Sequence, residues 1–305
     1  MLEQLGLIKP GLGRYAWLAR LLADYLALTK PPIIMLLLIT ALGGMFLAAG
    51  GVPRLSVLLL VCAGGALAAG GANALNHYQD HRIDGMMSRT WQRPLPSGRI
   101  SRRQALIPGI LLNVAAFASL AAWVNLLAAS LTLLATLIYV FVYTGWLKRR
   151  TPQNIVIGGT AGAIPPVVGW AAVTGGLELP ALYLFAIIFL WTPPHFWALA
   201  LLMQRDYQKA GIPMLPVVSG RPYTALNILA YTLALVALTL AFAATSAVGW
   251  VYLGVAALLG GGFLALAWRL TRTISSRNAR RLYLYSLLYL ALLFTAMMVD
   301  SAATL

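Results

Sequence analysis

Three oxygen-bearing side chains recur at intervals of four residues in the segment NHYQDHRID, namely Asn76, Asp80 and Asp84. Each step of four residues along an α-helix advances about 400°, so the three would share one face over about 12 Å. Oxygen ligands without cysteine suit a hard cation such as Mg²⁺, whose shell is usually completed by phosphate oxygens. Carboxylates at a helix end can also simply solvate a loop, but this spacing, in a chain with 7 acidic residues, favours a Mg²⁺–diphosphate site.

Basic side chains surround this segment and recur in two further loops, where they could neutralise a bound diphosphate. The segment RDYQKAGIPMLP adds a further carboxylate, Asp206, which we expect to join the three metal ligands. The basic residues expected to take part in catalysis are Arg89, Arg93 and Lys148. The basic residues expected to bind substrate are Lys30, Arg82, Arg149, Arg150, Arg205 and Lys209.

An apolar segment, FLWTPPHFWALA, carries a second group of candidates, Trp191 and His195. A histidine inside a membrane span is costly and is therefore a functional candidate, although it can also serve as a hydrogen bond to a neighbouring helix. We expect Trp191 and His195 to contact a substrate. The two prolines between them, Pro193 and Pro194, are expected to kink or interrupt the helix.

The composition indicates an integral membrane protein. Of the 305 residues, 61% are hydrophobic and 10% are charged, and the mean hydropathy is +0.82. Soluble domains carry about 25% charged residues. The net charge of +15 could indicate nucleic acid, but charge in cytoplasmic loops explains it better, so no nucleic-acid partner is expected. The single cysteine, Cys62, excludes an intrachain disulfide.

The uncharged runs of the sequence predict nine membrane helices in an all-α bundle, because a span needs about 20 apolar residues. These runs cover residues 31–53, 55–79, 104–147, 151–177, 179–204, 222–268 and 282–299. The third and sixth runs are too long for one helix and should break near residues 124–125 and 246–249. We expect one domain over residues 1–305, with a cytoplasmic or interfacial segment at 1–30, helical over 13–29, and the bundle at 31–300.

Positive charge is distributed asymmetrically among the predicted loops. Every Lys and Arg except Arg54 falls before the first span or in a loop on the same side of the membrane as that segment. Basic loops stay in the cytoplasm, so the N-terminus is predicted to be cytoplasmic and the C-terminus outside. The protein would then be a multi-pass protein of the cytoplasmic (inner) membrane, with the mouth of its site on the cytoplasmic side.

The residues around these candidates resemble the UbiA-type intramembrane prenyltransferases. The segment NALNHYQDHRIDGMMSRTWQRPLPSGRI matches their N-x-x-x-D-x-x-x-D signature. The segments LTKPPI, YTGWLKRRTPQNIVIGGTAGAIPPVVGWAAVTG and WTPPHFWALALLMQRDYQKAGIPMLPV resemble the branch that farnesylates protoheme. The resemblance covers roughly residues 25–300. It implies nine helices around a central cavity and farnesyl transfer from farnesyl diphosphate to a vinyl group of heme B, with water added, giving heme O and diphosphate.

The same resemblance implies roles for individual residues. His195 would contact the heme iron or a propionate, whereas His77 and His81 are better explained as parts of a polar helix end. The family's second acidic motif is D-x-x-x-D, but Ala210 stands four residues after Asp206, so we expect fewer protein ligands on that side. Heme A synthase or oxidase-assembly proteins would receive the product.

Two other functions fit parts of the pattern. A prenyltransferase acting on an aromatic quinone precursor would share the site around Asn76 and Asp84 without needing the segment around His195. An anion transporter or channel would use the same basic mouth without Mg²⁺ and without releasing diphosphate. A non-catalytic assembly factor is disfavoured by the carboxylate spacing.

Overall fold

The computed structural model describes residues 12–245 and 247–303, and in that part the chain forms helices and no strand. Nine helices in the described ranges are long and apolar enough to cross a membrane, which confirms the predicted number. They are α2 (Pro31–Ala49), α3 (Leu55–Met86), α4 (Arg102–Trp123), α5 (Leu126–Leu137) with its continuation to Arg149, α6 (Asn154–Thr174), α7 (Leu179–Leu202), α10 (Gly220–Ala243), α11 (Trp250–Arg272) and α12 (Ser276–Ala303).

Three shorter helices lie outside these spans. The first, α1 (Leu12–Thr29), confirms the helix expected over residues 13–29, and Pro31 and Pro32 open the next helix as their fixed φ allows. Two short helices, α8 (Gln204–Lys209) and α9 (Leu215–Val218), connect α7 to α10. The placement of α1 at a membrane surface stays a prediction.

Both long uncharged runs break where expected, and polar groups mark the breaks. Asn125 caps α5 by accepting a hydrogen bond from the Ala128 amide, and its side-chain amide donates to the Ala171 carbonyl. Before α11, the Asp300 carboxylate on α12 accepts hydrogen bonds from the amides of Gly249 and Val251. Ser246 itself lies outside the described residues.

Of the two outcomes predicted for Pro193 and Pro194, the interruption does not occur, because α7 runs without a break from Leu179 to Leu202, and the kink stays a prediction. A proline removes one hydrogen bond of the helix and crowds the carbonyl four residues earlier. Ending the helix would leave further backbone groups unsatisfied in an apolar environment, which costs more. The α6 helix likewise continues through Pro165 and Pro166.

Helices α6 and α7 form the most buried part of the bundle, and the others pack around them. Glycine permits a close helix crossing between α2 and α6. A Cβ on Gly44 would collide with the Pro166 carbonyl, and a Cβ on Gly169 would collide with the Ala41 carbonyl. Small residues at such crossings let helices associate in lipid, where the hydrophobic effect provides no driving force.

The candidate polar residues collect at one end of the bundle. Helix α3 ends there, and the connection over residues 87–101 folds back against α1 and α3 through buried Leu95 and Ile100. This connection also contacts α8, because Ser88 hydrogen-bonds to Asp206. The ends of α1, α3, α5 and α7 are therefore brought together here.

Candidate active site

Asn76, Asp80 and Asp84 all lie on α3, a single helix of 32 residues, and all three side chains are buried. The Asn76 side-chain amide donates a hydrogen bond of 2.8 Å to Asp80 Oδ2, one turn further along. The expected shared face is thus realised as a line of polar side chains. This line lies in the half of α3 that leads to the polar end of the bundle.

Each of the three side chains is paired with its own cation, and each cation comes from a different element. Lys148 Nζ, at the end of the continuation of α5, lies 2.5 Å from Asp80 Oδ2. Arg93 Nη1 donates to both oxygens of Asp84 at 2.9 and 2.8 Å. The third cation, Lys30, donates from Nζ to Asn76 Oδ1 at 2.8 Å. The structure therefore brings together three predicted oxygen side chains and three of the predicted basic residues.

Lys30 occupies the junction between α1 and α2 in an unusual backbone conformation. Its φ of 55° lies in the left-handed region, and it is the one residue other than glycine in the described chain with a positive φ. Such conformations cost of order 1–3 kcal/mol and recur at functional sites. Burial away from water lowers the pKa of Lys30 to about 7, and the charge of Arg93 contributes to the lowering.

The continuation of α5 is a π-helix over Ile138–Trp146, followed by a short 3₁₀ turn, Leu147–Arg149. Buried Thr144 on this π-helix accepts a hydrogen bond from the Asn76 amide at 3.1 Å and donates to the Tyr139 carbonyl at 2.8 Å. The rings of Tyr139 and Tyr143 stack at 5.8 Å on the same segment. Wide π turns are frequent at functional sites, and here the segment delivers both Thr144 and Lys148.

Thr144, Tyr139 and Tyr143 were not among the site residues expected from the sequence. A polar residue inside an apolar run was the available signal for Thr144. That signal is weak, because threonine hydroxyls in membrane helices commonly bond to their own backbone. The local sequence does not indicate the wide turn that directs Thr144 toward α3.

Several buried polar atoms of the site lack a hydrogen-bond partner within the described residues. They are Asp80 Oδ1 and both ring nitrogens of His77. His77 is 1% exposed, and its Nδ1 lies 3.7 Å from Asp84 Oδ2. Buried polar groups without partners are costly, so they indicate where a ligand, an ion or water completes the site.

A divalent cation fits this donor set only in part. In residues 12–245 and 247–303 no three His, Cys, Asp or Glu side chains converge closely enough to enclose a metal. Asp80 Oδ1 is a free carboxylate oxygen, whereas Asp84 is occupied by Arg93 on both oxygens. Mg²⁺ is typically held by one or two carboxylates together with phosphate oxygens and water. The residues therefore fit Mg²⁺ that arrives with a diphosphate better than a closed protein cage.

Asp206 is joined to the site through the connection after α3. Its Oδ2 accepts a hydrogen bond of 2.5 Å from Ser88 Oγ. The next residue, Tyr207, is buried, and burial raises the pKa of its hydroxyl while the charges of Lys148, Arg89 and Arg93 oppose that rise. Helix α8 thus lies beside the basic residues of the site, although Asp206 makes no contact with the metal-ligand candidates on α3.

The other basic candidates lie at the exposed rim. They are Arg82, Arg89, Arg149, Arg150, Arg205 and Lys209. Arg149 donates to the Gln79 carbonyl at 3.2 Å, and no ion pair holds the others within the described chain. The site therefore has an inner layer of three half-buried cations and an exposed layer of six.

His195 lies within α7 and is held against α12. Its ring stacks between Trp191 and Tyr283, with ring centroids 4.4 and 4.8 Å away. Its Nδ1 lies 2.7 Å from the hydroxyl of buried Ser286, and Trp191 Nε1 donates to the Ser286 carbonyl at 2.7 Å. The hydrogen bond to a neighbouring helix that the sequence left open is therefore present.

This hydrogen bond also defines the tautomer of His195. The Ser286 hydroxyl donates its only proton to the Tyr283 carbonyl at 2.6 Å, so toward His195 it accepts. The tautomer of His195 that matches this arrangement carries its proton on Nδ1 and keeps a lone pair on Nε2. Nε2 has no hydrogen-bond partner among the described residues, and the whole residue is 7% exposed. Ser286 was not expected from the sequence. His81 bonds to the Tyr78 carbonyl at the end of α3.

Comparison with protein families gives one match over most of the chain. Residues 37–295 match the model of the UbiA prenyltransferase family. Protoheme IX farnesyltransferase of Roseiflexus sp. (strain RS-1) is 54% identical over 280 residues, covering 92% of this chain and 52% of that protein. Protoheme IX farnesyltransferase 1 of Saccharopolyspora erythraea is 53% identical over 287 residues, covering 93% and 91%. The chain thus spans about half the length of some curated relatives and about nine-tenths of others.

Solved structures show the same fold. A UbiA homolog from Aeropyrum pernix K1 in its apo form aligns with a TM-score of 0.73 at 21% identity, covering 88% of this chain and 98% of that one. A UbiA homolog from Archaeoglobus fulgidus bound to GPP and Mg²⁺ aligns with a TM-score of 0.62 at 21% identity, covering 90% and 99%.

Proposed function

Because the chain belongs to the UbiA prenyltransferase family, we propose that it transfers a farnesyl group from farnesyl diphosphate to a vinyl group of protoheme IX (heme B). Water is added, and the products are heme O and diphosphate. The names of the curated relatives support the substrates. The observation that carries the proposal is the buried Asp80 carboxylate, which has one oxygen held by Lys148 and the other without a hydrogen-bond partner in the described chain.

The unpartnered oxygen of Asp80 would contact Mg²⁺ that arrives with the diphosphate. Asn76, Asp84 and Asp206 would join it only by exchanging their present partners, Lys30, Arg93 and Ser88, for the metal. Bound there, Mg²⁺ neutralises negative charge on the diphosphate. Lys30, Arg93 and Lys148 come from three elements and surround the same place, and the rim arginines and lysine add to the field. These side chains attract the diphosphate and stabilise the charge it gains as it departs.

The reaction needs an apolar site in which the bond between the farnesyl C1 and the diphosphate oxygen breaks. Its electron pair leaves with the diphosphate, and the π electrons of the vinyl group form the new bond to C1. Water then adds to the cation left beside the porphyrin and loses a proton. The stacked faces of Tyr139 and Tyr143 are available to stabilise an allylic cation.

The acceptor would be oriented by His195. Both faces of its ring are covered by aromatic side chains, so it can engage a ligand only through the edge that carries Nε2. A lone pair at that atom suits the heme iron, and a propionate would need the protonated form instead. We therefore assign the iron as the contact of His195, with Trp191 holding the ring in place.

The same proposal includes a location. The chain is a multi-pass membrane protein, and the asymmetry of its basic residues supports an inner-membrane position with the site facing the cytoplasm. The N-terminus would be cytoplasmic and the C-terminus outside. An enzyme that consumes heme O, such as heme A synthase, or an oxidase-assembly protein would receive the product.

The deciding experiment is an incubation of the purified protein in detergent with heme, farnesyl diphosphate and Mg²⁺, followed by mass analysis of the porphyrin. We expect a mass gain of farnesyl plus water that disappears with chelator. An unchanged porphyrin beside an active control enzyme would contradict the proposal. Prenylation of an aromatic quinone precursor would then identify the sister activity, and anion uptake by vesicles without either reaction would identify a transporter.

A further inference from the structure

A cluster of three arginines lies away from the candidate active site, at the beginning of α12. A cavity of about 480 Å³ opens there between α7 and α12, lined by Leu202, Ser276, Arg277, Arg280, Arg281 and Leu284. It lies at the same end of the bundle as the active site, because α7 ends at Leu202 and α8 follows with Asp206 bound to Ser88. The proposed reaction uses none of these lining residues.

The charges around this cavity are all of one sign, and its three arginines are exposed. The N-terminus of a helix carries partial positive charge, and the first turns of α12 add three arginines and no acidic residue. None of the three has an ion pair or hydrogen bond to its side chain within the described chain. Positive charge at this density indicates a site for an anion.

The acidic residues that the structure describes are committed elsewhere. Asp24, Asp80 and Asp84 pair with Arg99, Lys148 and Arg93, and Asp206 binds Ser88. Glu178 precedes α7 and Asp300 caps α11, so both lie at the opposite end of the bundle. The anion must therefore come from outside the described part of the protein.

The surface below the arginines is apolar and continues along the same face of α12. Leu284, Leu288 and Leu292 follow at intervals of four residues, and each is 41–50% exposed. On a helix they form a stripe about 12 Å long, close to the half-thickness of about 15 Å of a bilayer's hydrocarbon core. An arginine cluster above such a stripe matches a molecule with an anionic head and an apolar chain.

We infer that this cavity binds an anionic phospholipid, with its phosphate at Arg277, Arg280 and Arg281 and an acyl chain along Leu284, Leu288 and Leu292. Basic pockets between membrane helices recognise anionic headgroups, and the end of a membrane-spanning helix is at headgroup depth. The partial positive charge at the beginning of α12 adds to the attraction for the phosphate, although Ser275 already caps the Asn278 amide. The inference is independent of the proposed reaction.

The test is native mass spectrometry of the full chain in detergent with dioleoylphosphatidylglycerol or dioleoylphosphatidylcholine. We expect selective retention of phosphatidylglycerol. Each Arg→Gln substitution at positions 277, 280 and 281 should weaken it about fivefold, and the triple variant should lose the selectivity. Arg103→Gln is the matched control, because Arg103 is an exposed arginine in the first turn of α4 at the same end.

Competition separates the sources of the anion. Excess inorganic phosphate should leave phosphatidylglycerol bound, and Leu284→Ser with Leu288→Ser should weaken it. Equal binding of both lipids, an unaffected triple variant, displacement by phosphate alone, or displacement by heme would each overturn the inference. Thermal unfolding shows whether each variant is folded. If the triple variant does not fold, the selectivity of the single Arg280→Gln variant for phosphatidylglycerol tests the inference instead. Turnover of heme by the Arg→Gln variants is expected to be unchanged.

Discussion

Lys148 Nζ lies 2.5 Å from Asp80 Oδ2, although 68 residues separate them in the sequence. The same oxygen accepts a hydrogen bond from the Asn76 amide, whereas Asp80 Oδ1 is buried with no partner in the described chain. One edge of the carboxylate is therefore fixed by the protein and the other edge is open. A carboxylate divided in this way is suited to position a cation without being reoriented by it.

Replacing Asp80 by Asn should abolish product formation, with turnover reduced by about 10²–10³-fold or more, as for other losses of transition-state charge stabilisation. The substitution keeps the shape of the side chain but removes its charge. Turnover of heme with saturating farnesyl diphosphate and Mg²⁺ measures the effect.

Asp24→Asn is the matched control for Asp80→Asn, because it removes an ion pair to Arg99 at the surface. Such exposed pairs contribute about 0–1 kcal/mol, so activity should be nearly normal. Full activity of the Asp80→Asn variant would contradict the role of this carboxylate.

Thr144→Val should raise the KM for farnesyl diphosphate and the Mg²⁺ concentration needed for half activity, each severalfold. The buried hydroxyl holds Asn76, and valine fills the same space without it. Initial rates over a range of both ligands measure the change. Thr136→Val removes a comparable buried hydrogen bond, to Asn113, in the same span and should leave both values near normal. Equal effects of the two substitutions would assign Thr144 a structural role alone.

Ser286→Ala should weaken heme binding more than farnesyl diphosphate binding, because His195 loses the acceptor that keeps its proton on Nδ1. Titration by heme absorbance and by isothermal calorimetry with the diphosphate measures the two affinities. His195→Ala should show the same split to a greater extent.

Ser119→Ala controls for the loss of a serine hydroxyl, since Ser119 bonds only to a carbonyl of its own helix, that of Ala116. It should change neither affinity. If the Ser286→Ala variant loses affinity for heme and for farnesyl diphosphate equally, Ser286 supports folding and not the orientation of His195.

Gly44→Ala should destabilise the bundle by about 1–3 kcal/mol or more, as overpacking of a tight interior does. The added methyl group collides with the Pro166 carbonyl, and backbone cannot move aside as a flexible side chain can. Gly162→Ala on α6 is the control, because a methyl group added there would meet no atom within 4 Å. A lowered midpoint of thermal unfolding for Gly44→Ala alone supports the tight crossing, and an unchanged midpoint would refute it.

The helices and the line of oxygen side chains could be predicted from local patterns. Nine spans follow from the lengths of uncharged runs, and the shared position of Asn76, Asp80 and Asp84 follows from the helical repeat. Both depend on residues close together in the sequence. The charge pattern also grouped the basic residues correctly at one end, since Lys30, Arg93 and Lys148 all reach the acidic helix there.

The partners within the site could not be predicted. Which cation pairs with which oxygen depends on how α3 packs against the end of α5, and that packing joins residues far apart in the sequence. The local sequence does not predict the π-helix that carries Thr144. The sequence does not distinguish Ser286 from other polar helix residues, because its role depends on the packing of α12 against α7. Local propensity was misleading at Pro193 and Pro194, where the apolar surroundings keep the helix intact.

The cap on α11 has a consequence for biosynthesis. The amides of Gly249 and Val251 are satisfied by Asp300, which the ribosome adds about fifty residues later. Until α12 has been inserted, the beginning of α11 therefore lacks its carboxylate, and the last three long helices cannot reach their final arrangement one at a time. The C-terminal part of the bundle should therefore assemble as a unit once α12 has been inserted, and the contact between Ser286 and His195 is completed only then.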